Sequence, residues 1–205
     1  MNHRECMNFS AVILAGGQSR RMGRDKAWLP LDGRPMLARQ IEIVRELACA
    51  EVFISGRADA DYASFGCPVL TDQFADAGPL AGIERALALA TAPLVLVLAV
   101  DLPRMTGHLL RQLLAECSPG TGVVPRVNQN LEPLAAVYPK AAQSIAVDLL
   151  QSGVRAVHQF ARQCQEAGLV RFLDLETEAL PCFTNWNRPE DMPPGLVADD
   201  TPGRS

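Results

Sequence analysis

Apolar and polar positions follow two different periods along this chain. Short apolar runs of strand length predict β-strands at FSAVILA, EVFIS, PVLTD, PLVLVLAV, GVVPRV, PLAAVYP and LVRFLDL. Apolar residues three or four positions apart predict helices at PMLARQIEIVRELAC, GPLAGIERALALA, TGHLLRQLLAEC, residues 141–151 and residues 154–167. Asn187 and Glu190 form a capping pattern for one last short helix. Alternating strands and helices predict an α/β fold, with three α/β/α layers and a mainly parallel, Rossmann-like twisted sheet.

Length and composition predict one domain and a tail. The 205 residues are enough for one sizeable core and few for two, so we expect a single domain over residues 1–192. Residues 193–205 are rich in Pro, Gly and Asp, which predicts disorder. The apolar run at residues 92–100 is too short to span a bilayer, and the first ten residues lack the apolar stretch of a signal peptide.

Cysteine usage and charge indicate the compartment and exclude some partners. The six cysteines are scattered, with no CxxC pair and no Cys/His ligand spacing, so neither a zinc site nor a disulfide framework is expected. Reduced thiols of this kind are typical of the cytoplasm. The net charge of -4 argues against a nucleic-acid partner, and no membrane partner is expected.

The stretch LAGGQSRRMGRDK, residues 14–26, follows the first predicted strand. Ligands of parallel sheets bind beyond the carboxyl ends of the strands, which is where this stretch lies. Gly16 and Gly17 allow the backbone to approach a ligand, and consecutive N–H groups there can form an anion-binding nest. Its basic side chains include Arg20, Arg21, Arg24 and Lys26. The stretch is neither a P-loop nor a GxGxxG fingerprint, and a solvated basic loop is the alternative; its position favours a nucleoside triphosphate cradle.

Two aspartates each end a predicted strand. Asp101 follows the apolar run VLAV, and a carboxylate at that place is a natural Mg²⁺ ligand, although alone it would be a turn residue before Pro103. Asp72 ends VLTD in the same way. None of the three histidines pairs with a plausible Ser or Cys nucleophile. Two carboxylates beside a basic loop, without a nucleophile–base pair, favour a metal–nucleotide site.

The glycine-rich stretch resembles the signature LAGGxSxRMGxDK of the molybdenum cofactor guanylyltransferases, in the sugar-nucleotidyltransferase-like superfamily. Five more segments are similar to that family in order and spacing: LDGRPML, DQFADAGPLAGI with its GPLAG, VDLP, LEPLAAVY beside the family's QPLxALY, and TNWNRPEDM beside NxNTPEE. We note three departures from the family pattern. These are Ser55 in place of asparagine, Val100 in place of cysteine and Arg188 in place of threonine.

The resemblance implies the nucleotide-diphospho-sugar transferase fold and transfer of GMP from GTP to the terminal phosphate of molybdopterin, with release of pyrophosphate. It implies Mg²⁺ as cofactor, with Asp101 as the metal ligand. The GTP-binding residues it implies are Leu14, Ala15, Gly16, Gly17, Lys26, Ser55, Asp72 and Asp101. The catalytic residues it implies are Arg21, Lys26 and Asp101. Asn185 and Asn187 lie where the pterin is expected to approach. Besides the two substrates, it implies transient contact with other cofactor-biosynthesis proteins and the recipient molybdoenzyme.

Alternative functions stay open at this point. A cytidylyltransferase acting on the same pterin, or a related nucleotidyltransferase, tends to read LAAG in the first motif and to lack GPLAG. A non-catalytic nucleotide-binding regulator would be marked by loss of Lys26 or Asp101, and both are present. A dehydrogenase is disfavoured because GxGxxG and an acidic ribose clamp are missing.

Overall fold

The computed structural model describes residues 8–16, 26–57, 60–74 and 77–186. Its strands are β1 (Phe9–Leu14), β2 (Pro30–Leu31), β3 (Arg34–Pro35), β4 (Val52–Ser55), β5 (Val69–Leu70), β6 (Leu94–Ala99), β7 (Gly122–Val127), β8 (Asn130–Leu131), β9 (Ala135–Pro139) and β10 (Val170–Leu175). Its α-helices are α1 (Met36–Arg45), α2 (Pro79–Leu89), α3 (Gly107–Ala115), α4 (Gln143–Gln151) and α5 (Val157–Glu166). Short 3₁₀ helices cover Lys26–Trp28, Ala63–Phe65, Lys140–Ala142 and Thr177–Phe183.

The main sheet has the strand order β10-β7-β9-β6-β1-β4-β5, with β8 paired to β7. Strands β6, β1, β4 and β5 are parallel neighbours, and β10 is parallel to β7. Strand β9 runs antiparallel to both β6 and β7. The prediction of a mainly parallel sheet is therefore confirmed, with β9 and the short β8 as its antiparallel members.

Apolar side chains cover both faces of the sheet. Alternate residues of β1 enter different clusters, Ile13 with α1 and α3, and Val12 with α2, α4 and α5. Strand β6 alternates in the same way, with Leu96 on the first face and Val97 on the second. A strand covered on both faces needs no polar alternation, which explains its unbroken apolar run. The predicted three-layer α/β/α architecture is confirmed. We call these cluster 1, under α1 and α3, and cluster 2, under α2, α4 and α5.

The order of the strands reverses between β1 and β6. The chain passes from β1 to β4 and β5 on one side, and then crosses to β6 on the other. Leu14 and Ala99, the last residues of β1 and β6, lie opposite each other in register. A crevice at such a reversal is the usual ligand site of an open α/β sheet. The glycine-rich stretch follows β1 and Asp101 follows β6, so both start from this reversal of the strand order.

Several element boundaries differ from the sequence predictions. Helix α1 ends at Arg45 because the chain turns there and Ala48 adopts a positive φ of 56°. Between the predicted strands GVVPRV and PLAAVYP, Asn128 and Gln129 form a turn with φ of 47° and 66°, and Asn130 begins the unpredicted strand β8. The hairpin of β2 and β3 was not predicted; Asp32 and Gly33 form its turn with φ of 52° and 77°.

Some predictions concern residues that the structure does not describe. These are the capping pattern from Asn187 and the tail at residues 193–205. None of the described helices combines the length and the apolar character that crossing a membrane requires.

Candidate active site

An ion pair joins two parts of the predicted site that are 75 positions apart in the sequence. Lys26 begins the 3₁₀ helix after the glycine-rich stretch, and Asp101 follows β6. The Lys26 Nζ donates to the Asp101 Oδ2 at 2.8 Å. Only 16% of the Lys26 side chain and 20% of the Asp101 side chain are exposed. The structure therefore brings the lysine predicted for the phosphates against the carboxylate predicted for the metal.

Backbone hydrogen bonds tie three strand ends together at this edge. The N–H groups of Ala15 and Gly16 both donate to the carbonyl of Ser55, at 2.7 and 2.9 Å. The N–H of Val100 donates to the carbonyl of Leu14 at 3.1 Å. These two backbone donors are thus already used by a protein carbonyl. Gly17 and Arg21, which were also predicted to belong to the site, lie outside the described residues.

The Ser55 side chain is buried and packs against helix α2. A Cβ built on Gly82 would lie 2.1 Å from the Ser55 Oγ, which is closer than real Cβ contacts come. The Ser55 hydroxyl lies against α2, while the Ser55 carbonyl accepts from the N–H groups of Ala15 and Gly16; a contact between Ser55 and the nucleotide stays a prediction. The contact of the hydroxyl with α2 gives the second glycine of GPLAG a packing reason.

Asp72 lies at the far side of the crevice from Asp101. It follows β5, and β4 and β1 separate that strand from β6. At about 4.8 Å per strand, the two strand ends are about 14 Å apart. Asp72 is exposed, but nearby residues of the protein displace part of the water around its carboxyl group. This loss of hydration raises the pKa of Asp72, and the like charge of Glu84 raises it further. The structure keeps these aspartates apart along the edge.

Two further contacts fix the segment that carries Asp101. The backbone N–H of Trp186 donates to the Asp101 carbonyl at 3.1 Å, and the Trp186 side chain is buried in cluster 1. The buried amide of Gln40 in α1 donates to the carbonyl of Leu102 at 2.7 Å. Trp186 also places the exposed Asn185 beside Asp101; Asn187 lies outside the described residues. Gln40 was missed, and its signal was a polar residue inside an apolar helix stripe.

Glu132 is a second residue that sequence reasoning missed. It precedes β9 and is half-buried. Burial raises its pKa to about 7. Its signal was a carboxylate where the similar QPLxALY motif has an amide.

The donor set fits a Mg²⁺ ion shared with phosphates. Among the described residues, no group of three or more His, Cys, Asp or Glu side chains could hold a metal ion. Mg²⁺ is commonly bound by one or two carboxylates together with substrate phosphate oxygens. The Asp101 carboxylate already faces a cation, the Lys26 ammonium. Asp101 therefore suits a metal that a bound triphosphate helps to hold.

Comparison with known proteins identifies the family of the chain. The family model for the MobA-like NTP transferase domain matches residues 11–167. The "Probable molybdenum cofactor guanylyltransferase" of Opitutus terrae is 40% identical over 190 residues, which cover 89% of this chain and 92% of the relative. The "Molybdenum cofactor guanylyltransferase" of Ectopseudomonas mendocina is 32% identical over 193 residues, covering 93% of each.

A solved structure shares the fold. The molybdopterin-guanine dinucleotide biosynthesis protein A of Archaeoglobus fulgidus superposes with a TM-score of 0.69. The alignment covers 89% of this chain and 94% of that one, at 22% identity. At this identity the likeness concerns the fold alone.

Proposed function

The chain belongs to the family of MobA-like NTP transferase domains, and from this premise we propose that it transfers GMP from GTP to the terminal phosphate of molybdopterin. The observation that carries the proposal is the ion pair of Lys26 and Asp101 at the edge where the strand order reverses. The names of the two curated relatives support the same activity.

The reaction joins two anions and needs no nucleophilic side chain. An oxygen of the molybdopterin phosphate forms a bond to the α-phosphorus of GTP, and the bond from that phosphorus to the pyrophosphate oxygen breaks. The attacking phosphate is already a nucleophile at neutral pH. The protein has to align the two substrates and neutralise charge, which are positioning and electrostatic contributions.

Lys26 and Asp101 divide this work. Asp101 would hold Mg²⁺, which supplies charge neutralisation at the phosphates when bound. With Asp101 committed to the metal, the Lys26 ammonium donates to phosphate oxygens and stabilises charge on the departing pyrophosphate. The ion pair keeps both groups at the reaction edge before substrate binds. Arg21 adds a third cation in this proposal.

The two substrates occupy opposite ends of the edge. On the nucleotide side, the backbone of Leu14, Ala15 and Gly16 forms the crevice floor, and Asp72 takes the nucleoside. The Ser55 carbonyl shapes the floor through its two hydrogen bonds. On the other side, Asn185 and Asn187 contact the pterin. Transient contacts with other cofactor-biosynthesis proteins, the recipient molybdoenzyme and a cytoplasmic location stay predictions.

The test starts with nucleotide choice. In a thermal-shift panel of GTP, CTP, ATP and UTP, each with and without Mg²⁺, we expect selective stabilisation by GTP with Mg²⁺. Equal stabilisation by CTP would favour the cytidylyltransferase alternative.

Product analysis then tests the reaction. With GTP, Mg²⁺ and molybdopterin, mass spectrometry should detect the guanine dinucleotide, and a coupled assay should detect one pyrophosphate per product. Asp101→Asn is expected to abolish turnover, and near-normal Mg²⁺-dependent activity in that variant would remove Asp101 as the principal ligand. A nucleotide-binding protein that forms no product would be the regulator.

A further inference from the structure

Glu132 lies at the same sheet edge as Asp101. Its backbone N–H donates to the carbonyl of Pro125 in β7 at 2.9 Å. Three residues later Ala135 begins β9, opposite Leu98 near the carboxyl end of β6. Because β9 runs antiparallel to β6, the residues before β9 lie at the edge where β6 ends. Glu132 thus borders the crevice on the side opposite Asp72.

Strand alternation decides which face of the sheet Glu132 occupies. Leu131 pairs with Arg126, and Leu131 packs into cluster 2. The next residue, Glu132, lies opposite Pro125 and faces the other side, because successive side chains in a strand point to opposite faces. That other side carries cluster 1 and Trp186, whose N–H holds the Asp101 carbonyl. Glu132 therefore shares its face with the segment that presents Asn185.

The carboxyl group of Glu132 has chemistry to offer a ligand. It makes no hydrogen bond or ion pair with another described residue, and loss of hydration is what raises its pKa to about 7. The nearby cation on β7, Arg126, is already paired with Asp174 through two hydrogen bonds of 2.5 and 2.7 Å. A half-buried carboxyl group without a protein partner keeps its oxygen atoms available to accept hydrogen bonds. At the edge of a substrate crevice, the substrate can donate them.

We propose that Glu132 binds the amino-oxo edge of the pterin ring of the second substrate and so selects that substrate. The inference rests on the proposed function, because only then is the second substrate a pterin. A pterin is a 2-amino-4-oxo ring whose N3–H and 2-amino group are adjacent donors. A carboxylate accepts from both in a bidentate pair. Glutamine, which the similar QPLxALY motif carries, accepts from N3–H and donates to the 4-oxo oxygen.

The proposed role of Glu132 places the guanine ring and the pterin ring at different ends of the crevice, although both rings carry the same donors. Guanine in GTP carries the same amino-oxo edge as the pterin. Asp72 stands at the β5 end of the crevice and Glu132 at the β9 end, with Asp101 between them in strand order. Each end thus has one carboxylate for one ring, and the reacting phosphates meet between them.

Steady-state kinetics with two variants at this position test the proposal. Glu132→Leu keeps the approximate size but removes both polar atoms, and we expect the KM for molybdopterin to rise by about tenfold or more, the scale of one lost polar contact. The KM for GTP should stay within about twofold of wild type. Glu132→Gln should restore the KM for molybdopterin to within about threefold. Glu166→Leu, an exposed carboxylate at the end of α5, is the control and should change neither KM.

A binding assay makes the test independent of turnover. The fluorescence of 6-carboxypterin is titrated with each protein in the presence of saturating GMP, which occupies the nucleotide end. Wild type and Glu132→Gln should bind the probe, and Glu132→Leu should bind at least about tenfold more weakly. Equal binding by Glu132→Leu and wild type, or an equal rise of both KM values, would overturn the proposal. If wild type binds the probe through Glu132 but forms no guanine dinucleotide, the proposed function fails while the pterin contact stands.

Discussion

The ion pair of Lys26 and Asp101 allows a quantitative test of the site before any substrate is added. The perturbations are Lys26→Met, Asp101→Asn and the double variant. Each single change removes one charge and leaves the other at the reaction edge with about a fifth or less of its side chain exposed. The double change removes both charges, so it should be less harmful than the two single changes added together.

The geometry sets the magnitude. At 2.8 Å and an effective dielectric constant of about 20, the gross attraction is roughly 6 kcal/mol, most of which offsets desolvation. Exposed pairs contribute at most about 1 kcal/mol, and breaking a fully buried pair costs about 3–5 kcal/mol. For this partly buried pair we expect each single variant to lose about 2 kcal/mol. The coupling energy should be about 1–2 kcal/mol.

Urea unfolding of the four proteins measures the cycle, and thermal melting checks it. A loss of about 2 kcal/mol in a chain of this size lowers Tm by roughly 4–8 °C. Arg34→Met and Glu42→Gln provide a matched control, because that pair is 3.1 Å apart but its side chains are 67% and 57% exposed. Its coupling should be near or below about 0.5 kcal/mol. If the Lys26–Asp101 coupling is no larger than the control, the pair does not preorganise the site.

Three further outcomes are expected. Lys26→Ala should lower kcat for pyrophosphate release by the equivalent of roughly 2–4 kcal/mol and change the KM for GTP less; an intact kcat with a raised KM would make Lys26 a ground-state contact. Gly82→Ala should lose roughly 1–3 kcal/mol in urea unfolding, because the new Cβ meets the Ser55 Oγ at 2.1 Å, and adding Ser55→Gly should recover most of it; no recovery would exclude this clash as the cause. Glu132 has a pKa of about 7 when folded, above its ordinary 4.5, so the folded state holds the extra proton and stability falls as pH rises between these values. The free energy of unfolding of Glu132→Gln should therefore exceed that of wild type by roughly 1–2 kcal/mol at pH 8, a figure reduced for partial exposure, and by little at pH 5. An equal difference at both pH values would contradict the raised pKa of Glu132.

The layers of the fold could be predicted because hydrophobic pattern and burial are closely linked. The unbroken apolar run of β6 required cover on both faces, and cluster 1 and cluster 2 provide it. The strand ends followed from the same pattern, which is why Leu14 and Asp101 were placed at one edge. The direction of β9 was harder, since PLAAVYP has the composition of a strand of either direction. Its short connection from β7 through a turn at Asn128 is compatible only with an antiparallel neighbour.

The sequence predicted which residues belong to the site better than it predicted the contacts between them. Lys26 and Asp101 were both expected in it, but residues 75 positions apart give no sign of a direct ion pair. Ser55 was expected in the site through the resemblance, but the contact of its hydroxyl with α2 at Gly82 could not be read from the sequence. Glu132 was missed because its half-burial depends on tertiary packing of β7 and β9, which no local pattern reports.

The antiparallel direction of β9 places a carboxylate on each side of Asp101 along the ligand edge of the sheet, Asp72 after β5 and Glu132 before β9. In an all-parallel sheet, the residue before a strand lies at the amino edge, away from the ligand crevice. Because β9 runs the other way, Glu132 reaches the carboxyl edge beside Asp101. The β5 end and the β9 end are joined through β4, β1 and β6 in one rigid sheet, so their spacing is fixed by strand width. A substitution at Glu132 can thus alter recognition of the second substrate without moving the residues that hold GTP, and this separability is what the two KM values measure.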